Sequence, residues 1–332
     1  MAGRSASRDK GGGRADIIVS FGGGMLRLAP RDWEQPSPGG MKRRELRERT
    51  ARLRRLDDIL GGGDTFRVYL GEYQSTKKLL REASYSQETG RVLLSVLSEQ
   101  AQQAGWAAFD AGRTADATGL YEASASAAAE AGDKELAGNA LAFLAYQTLE
   151  VSRDQAVEIA ARSCATAGPM AQPGVRALLS ERLAWANAVA GNAAATEAAL
   201  VAAEAALDEA DDTPQRDWVA WVDRTELQIM TGRCWTELRR PLRAVPTLES
   251  ALAQYSDTHA CDKSLYLSWL ATSYIHAGEI EQAAAVTGRA LTLSAEVASA
   301  RPRQRLKPVI TQLSSHRSLP AVADVLERAE AA

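Results

Sequence analysis

The feature that most constrains this chain is a pattern that occurs five times between residues 98 and 298. In each copy a predicted helix carries a small residue near its middle, a short turn follows, and a small residue opens the apolar face of a second helix. Because one such helix pair cannot bury its apolar face alone, we expect neighbouring pairs to stack on one another. The equivalent positions in the second helices are Ala117, Ala156, Thr196, Ala244 and Ala283.

Successive equivalent positions are 39, 40, 48 and 39 residues apart, and the longest interval contains the acidic segment 208–213 followed by Pro214. A tetratricopeptide (TPR) unit has about 34 residues, so these units are slightly long for that class. The spacing predicts an all-α fold, a right-handed superhelical TPR-like solenoid of antiparallel helix pairs. The alternative is a helical bundle without repeats.

The composition agrees with closely packed helices. Hydrophobic residues make up 45% of the chain but aromatic residues only 6%, and alanine fills many of the apolar positions. Small side chains let helix backbones approach, whereas sandwiches and barrels need branched and aromatic residues. The chain contains no run of 18 apolar residues, so the sequence predicts no membrane span. The three cysteines are widely spaced and form no disulfide or zinc pattern, which predicts a cytoplasmic protein.

Composition and periodicity change along the chain and indicate four regions. Residues 1–40 form a Gly/Arg-rich arm that we predict to be disordered, or to lie upstream of a true start at Met41. Residues 41–97 form an N-terminal helical segment, residues 98–298 the TPR-like array of about five helical pairs, and residues 299–332 the C-terminal capping helices. Because the ends of a solenoid leave apolar faces uncovered, a homodimer through the terminal helices is plausible.

Charge is distributed unevenly. Residues 1–55 carry 14 Lys and Arg against 6 Asp and Glu, a net charge of +8, so the rest of the chain carries −11 within the total of −3. A basic segment of this kind can contact nucleic-acid phosphates. The alternative is a solvated helix whose arginines pair with interspersed carboxylates. The candidate phosphate contacts are Arg43, Arg44, Arg47, Arg54 and Arg55.

Four residues occupy equivalent places, one position after the small residue of a first helix: Trp106, Trp185, Arg233 and Thr272. In a TPR-like register this place tends to face the concave groove. Trp and Arg dominate binding hot spots, so the four are candidates for contacting a protein or peptide ligand. The alternatives are that the tryptophans fill core volume and that the arginine forms a salt bridge.

The sequence contains few residues in patterns that are typical of catalytic or metal sites. The chain has three histidines, and the only dense polar cluster is His259-x-Cys261-Asp262, which is a weak metal-binding signal. Neither a zinc-protease helix nor a serine nucleophile motif is present, and the glycine tracts lack a phosphate-loop ending. We therefore predict no enzyme activity, catalytic residue, metal or cofactor. An enzyme would require a helical toroid around a buried acidic pocket.

Six phrases carry a family resemblance: LRRLDDILGG (53–62), LLREASYSQETGR (79–91), AGWAAFDAGR (104–113), AGNALAFLAYQ (137–147), RAVPTLESAL (243–252) and SLPAVADVLER (318–328). The chain from residue 42 onwards resembles the C-terminal sensor half of actinobacterial Xre-type transcription regulators. This resemblance implies a TPR array behind a helix-turn-helix domain and kinship with peptide-sensing regulators.

The chain departs from that family at its N-terminus. Only 40 residues precede the resemblance, and they contain no recognisable recognition helix. The predicted function is therefore a regulatory TPR module that binds a protein or peptide, in transcriptional regulation and without a membrane partner. The alternative is a DNA-binding transcriptional regulator that acts through its basic N-terminal segment.

Overall fold

A computed structural model describes residues 17–21, 24–28, 43–54, 62–210, 214–257, 259–295 and 301–331. Its contacts divide the chain into two units, Met1–Lys42 and Arg43–Ala332. In the first unit, strands β1 (Ile17–Phe21) and β2 (Gly24–Leu28) form a two-stranded antiparallel sheet. No regular structure was predicted there from the sequence, because each strand has only five residues, too few to show a periodicity. The rest of the predicted arm lies outside the described residues.

The described part of the second unit is all-helical and contains fourteen α-helices and one short 3-10 turn. The first seven are α1 (Arg43–Arg54), α2 (Gly62–Glu82), α3 (Gln87–Asp110), α4 (Thr114–Ala131), α5 (Lys134–Thr148), α6 (Arg153–Ala167) and α7 (Pro173–Val189). The others are α8 (Ala193–Ala210), α9 (Arg224–Glu237), α10 (Pro241–Gln254), α11 (Ala260–Ala277), α12 (Ile280–Ala295), α13 (Arg301–Leu313) and α14 (Pro320–Ala331), with the 3-10 turn at Ser314–His316.

The predicted repeat register matches the helices. Each of the five equivalent positions is the fourth residue of an even-numbered helix, from α4 to α12, and each is completely buried. A small side chain is needed there because the two helices of a pair cross at this point. The described residues thus confirm an all-α stack of helix pairs.

Glycines in the first helices let the second helices approach closely. A Cβ atom added at Gly105 of α3 would lie 2.5 Å from the ring of Tyr121 in α4. One added at Gly232 of α9 would lie 2.4 Å from Cγ of Leu248 in α10. Both approaches are too short for any real side-chain atom, so these two pairs depend on glycine.

The turns of four of the five pairs share one backbone conformation. Gly112, Gly191 and Gly278 have φ angles of 75°, 85° and 82°, a region that glycine adopts without strain. The equivalent residue of the fourth pair is Arg239, which has a φ angle of 53°. A non-glycine residue at this position stores a small amount of backbone strain.

The helices of the array form two layers. The odd-numbered helices α3 to α13 contact one another in succession and form an inner layer. The even-numbered helices pack onto them from outside. From α4 to α12, contacts between successive outer helices are sparser, which is the geometry of a stack that curves towards its inner layer. No described helix is long and apolar enough to span a membrane.

Candidate ligand cavity

The inner layer surrounds a cavity of about 630 Å³. All six inner helices from α3 to α13 contribute lining residues, together with α1, α2 and the segments before α9 and α11. The described outer helices α4, α6, α8 and α12 contribute none. A cavity of this volume is in the range that proteins use for small organic ligands.

Aromatic side chains are concentrated around this cavity. The chain has 19 aromatic residues (7 Trp, 8 Tyr and 4 Phe), and 3 Trp, 4 Tyr and 1 Phe, eight in all, line the cavity. Packing of the helix pairs does not require this, because alanine and leucine fill the seams between them. The eight residues are Tyr69, Trp106, Phe143, Tyr146, Trp218, Trp221, Tyr255 and Tyr266.

Ionisable side chains share the same walls. Six carboxylates and four arginines line the cavity, an excess of two acidic groups. Burying this many charges is costly unless they are paired with each other or with a ligand. The acidic residues are Glu99, Asp110, Glu181, Asp223, Glu226 and Asp262, and the arginines are Arg54, Arg182, Arg233 and Arg301.

Glu181 is the most deeply buried of these carboxylates. It lies in α7 and is 1% exposed, and its Oε1 atom has no hydrogen-bond partner. Burial raises the pKa of Glu181 to about 8, with Arg182 opposing the shift and the carboxylate of Glu226 adding to it. At neutral pH this carboxyl group is therefore mainly protonated.

Glu226 at the start of α9 accepts two hydrogen bonds. The hydroxyl of Tyr255 donates to Oε1 at 3.0 Å, and the hydroxyl of Tyr266 donates to Oε2 at 3.1 Å. Burial raises the pKa of Glu226 to about 7, and the nearby Asp262 contributes to the increase. Burial likewise raises the pKa of Asp262 itself. The cavity wall therefore carries three carboxyl groups with raised pKa values, those of Glu181, Glu226 and Asp262.

Arg233 of α9 lies between two indole rings. Its guanidinium carbon is 4.5 Å from the ring centre of Trp185 and 4.2 Å from that of Trp269. Its Nη2 atom donates to the hydroxyl of Tyr146 at 3.4 Å, while its Nε has no partner. Burial alone would raise the pKa of Tyr146, but Arg233 and neighbouring arginines lower it. The stacking orients the guanidinium group towards the cavity.

Trp218 supplies a further donor without a partner. Its side chain is almost fully buried at 6% exposure, and its Nε1 atom forms no hydrogen bond. The Nε1 atom of Trp221, by contrast, donates to the backbone oxygen of Trp218 at 3.0 Å. Buried polar atoms in proteins are nearly always satisfied, and three residues that line this cavity, Glu181, Arg233 and Trp218, each have a buried polar atom without a hydrogen-bond partner.

The first and last inner helices meet at the cavity. Arg301 of α13 forms an ion pair with the buried carboxylate of Asp110 at the end of α3. The guanidinium carbon of Arg301 also lies 4.5 Å from the ring centre of Trp106. Arg54 of α1 likewise forms ion pairs with Glu99 of α3 and with Asp217 in the segment before α9. These contacts partly enclose the cavity.

The four groove candidates occupy two kinds of position. Trp106 and Arg233 line the cavity. Trp185 is buried behind Arg233, where it packs edge-on against Trp269 at 5.8 Å between ring centres. Thr272 is buried as well, and its hydroxyl donates to the backbone oxygen of Ser268 at 2.8 Å.

The basic helix α1 is partly engaged in ion pairs. Arg47 is exposed, whereas Arg54 pairs with the two carboxylates described above. Arg49, in the same helix, pairs with Glu72 of α2. The side chains of Arg43 and Arg44, and all of Arg55, lie outside the described residues. The phosphate-contact hypothesis therefore retains one exposed arginine of the five within the described side chains.

The cluster His259, Cys261 and Asp262 also lies on the cavity wall. His259 packs edge-on against Tyr255, with 5.8 Å between ring centres. Among the described residues, no group of three or more His, Cys, Asp or Glu side chains has the proximity needed to hold a metal ion. These residues contribute to the polarity of the cavity rather than to a recognisable metal centre.

Most residues that line the cavity were not predicted from the sequence. Glu181 carries one usable signal, because it falls between Leu178 and Trp185 on the buried face of α7, where an acid is unexpected. Trp218 and Trp221 lie in an irregular segment that follows the acidic loop, so the helix register gave them no position. Their proximity to Glu181 results from the long interval between the third and fourth pairs.

The chain is thus a stack of helix pairs that encloses a polar and aromatic cavity. No protein-family model matches the chain, and no curated protein matches it significantly.

Proposed function

We propose that this protein is a regulatory ligand-binding module of the TPR-like kind, in which a small molecule or short peptide enters the cavity of the inner helices. The observation that carries the proposal is the set of unsatisfied buried atoms, Glu181 Oε1, Trp218 Nε1 and Arg233 Nε, around one cavity. A right-handed superhelical course of the array and a role in transcriptional regulation belong to the same proposal.

Binding can be transmitted because the cavity wall includes the contact between the two ends of the inner layer. Arg301 touches both Asp110 and Trp106, and all three residues line the cavity. A ligand that displaces or reinforces these contacts changes how α13 packs on α3. Such a change would reach the terminal helices, which are the surfaces proposed for a partner protein or a second copy of the chain.

Hydrogen exchange of the full chain tests the proposal. The protein is incubated with a small-molecule and peptide extract of its host, and exchange is measured by mass spectrometry. We expect slower exchange in α7, α9 and α11. The variant Thr225→Trp, which places a large side chain on the cavity wall, should lose this protection. Val201→Trp, which adds the same side chain to an exposed site on α8, should keep it.

The outcomes separate the candidate functions. An absence of protection by any fraction of the extract would refute ligand sensing. Protection by DNA that weakens steeply with salt and depends on Arg47 would instead support the DNA-binding alternative.

A second candidate, an acid–base enzyme, is favoured by one observation. Glu181 and Glu226 combine burial in a cavity with pKa values of about 8 and about 7, a property of many catalytic carboxyl groups. The buried acidic pocket that an enzyme would require is therefore present. Recovery of the bound ligand distinguishes the two functions, because a sensor releases its ligand unchanged whereas an enzyme releases a product.

A further inference from the structure

The charge balance of the cavity determines which ligand it suits. Of its four arginines, Arg54 and Arg301 already form ion pairs with carboxylates. Arg233 is stacked between two tryptophans and donates to a tyrosine hydroxyl. The fourth arginine, Arg182, has its guanidinium carbon 5.8 Å from the ring centre of Trp221.

The Oε1 atom of Glu181 has no hydrogen-bond partner, and Glu226 accepts hydrogen bonds from the hydroxyls of two tyrosines. Apart from Arg54, Arg301 and the lining carboxylates paired with them, four carboxylates and two arginines line the cavity, so acidic groups are in excess.

Aromatic faces lie beside these carboxylates. Trp221 is 44% exposed and Trp218 is almost fully buried, and both line the cavity together with Glu181 and Glu226. An aromatic ring attracts a cation through the negative charge on its face, and it also packs against apolar ligand atoms. Carboxylates next to aromatic rings are the combination that recognises organic ammonium groups.

We propose that the cavity binds a small organic ligand that carries a protonated amine, with the ammonium group held by Glu181 and Glu226 and the apolar body against Trp218 and Trp221. This inference deepens the proposed ligand-binding function and rests on it. The ammonium group donates to the Glu181 carboxylate, whose buried Oε1 atom has no hydrogen-bond partner in the structure. The positive charge of the ligand offsets the excess of carboxylates over arginines in the walls.

Protonation provides a second line of support. At neutral pH the Glu181 carboxyl holds a proton, and a bound ammonium group would take the place of that proton. The groups that act on Glu181 are Arg182 in α7 and Asp223, Glu226, Arg233 and Cys234 in and before α9. Amine binding should therefore strengthen as the pH rises from about 6 to about 9, while the amine itself stays protonated.

Calorimetric titration with three ligands of similar size tests this inference: 2-phenylethylamine, 2-phenylethanol and 3-phenylpropionate, which differ in charge. We expect the amine to bind at least about tenfold more tightly than the alcohol at about pH 8.5, and the carboxylate to bind weakest. Glu181→Gln should abolish the preference for the amine and its pH dependence while leaving the alcohol unaffected. The matched control Glu158→Gln, at an exposed site on α6, should change neither.

Equal binding of amine and alcohol, a preference for the carboxylate, or an amine affinity that survives Glu181→Gln would overturn the inference. Failure of all three ligands at millimolar concentration would overturn it as well. Thermal melting of each variant shows that the fold is retained. The proposed function fails separately, when no fraction of the host extract protects the cavity. Binding of the alcohol or carboxylate alone would refute the amine and leave ligand binding intact.

Discussion

The two faces of an inner helix carry different side chains: one face packs against the outer helix of the same pair, and the other lines the cavity. In α3, Gly105 lies on the seam with α4 against Tyr121, and its neighbour Trp106 lines the cavity. In α9, Gly232 lies against Leu248, and its neighbour Arg233 lines the cavity. Consecutive residues of a helix are about 100° apart around its axis, so one step in sequence moves from one face to the other.

The difference shows where stability and binding reside. The seams contain mainly small and aliphatic side chains at close distance, together with Tyr121 and with buried hydroxyls such as those of Ser98 and Ser124, which hydrogen-bond to each other. The cavity face contains charged and aromatic side chains, and several of its buried polar atoms lack partners. Substitutions on the seam should therefore lower the free energy of unfolding. Substitution of an unpaired cavity residue such as Glu181 should raise it or leave it unchanged while impairing binding.

The largest effect is expected on the seam at Leu248. This side chain is fully buried against Gly232, and Leu248→Ala should lower the free energy of unfolding by about 3 kcal/mol, through lost burial and the cavity left behind. Leu242→Ala in the same helix is the control, because Leu242 is 90% exposed and should contribute less than about 0.5 kcal/mol. Urea denaturation measures both. Equal effects at the two sites would contradict the seam's role.

The next effect is an increase in the free energy of unfolding, and it concerns Glu181 on the cavity face. Because the pKa of Glu181 is raised to about 8 in the folded state, its contribution to stability is full below the unfolded pKa of about 4.5 and is lost as the pH rises through about 8. Glu181→Gln removes this titration, so the variant should exceed the wild type by on the order of 2 kcal/mol at about pH 9 and differ little at about pH 5. Thermal denaturation across this pH range checks the prediction, and a constant difference would refute it.

A smaller effect compares two glycines with the same substitution. Gly232→Ala gains helix propensity but forces a methyl group against Leu248, so we expect a net loss of about 1 kcal/mol. Gly119→Ala in α4 meets nothing within 4 Å and should gain about 1 kcal/mol. In a Leu248→Ala background the Gly232→Ala penalty should disappear, because the two sites are in contact. A persistent penalty there would show that its cause lies elsewhere.

The smallest effect concerns the turns of the pairs, which lie on neither face. Arg239→Gly should raise the free energy of unfolding by up to about 1 kcal/mol, because it relieves a left-handed backbone at φ 53°. The reciprocal change Gly191→Arg, at φ 85°, should lower it by a similar amount. Denaturation midpoints of the two variants should therefore move in opposite directions. Movement in the same direction would mean that the arginine side chain matters more than the backbone.

The seams were predictable from sequence because they obey a local and repeated rule. A small residue twelve positions before Ala117 or Ala244 is visible as a pattern, and the structure places these residues at helix crossings. The cavity obeys no such rule. Its walls combine α7, α9 and α11 with an irregular segment. The register puts four residues on one face, and of these Trp106 and Arg233 line the cavity whereas Trp185 and Thr272 do not.

Burial behind a neighbouring side chain explains that limit. Trp185 is buried behind Arg233, whose guanidinium carbon lies 4.5 Å from the centre of its ring. The position of one side chain thus depends on a residue that is 48 positions away in sequence. Similarly, the hairpin of β1 and β2 forms from segments of only five residues each, which are too short for a reliable periodicity.

The ion pair of Arg301 with Asp110 has a consequence for folding. A linear array of repeats can nucleate anywhere and lose its ends one unit at a time. Here residues 191 positions apart in sequence touch, so the end helices are tied to each other across the whole array. Closing such a long loop is entropically costly and has to await the intervening pairs, which predicts a slow last step in folding. Once closed, the contact should suppress fraying from the C-terminal end and make unfolding more cooperative than in an open solenoid.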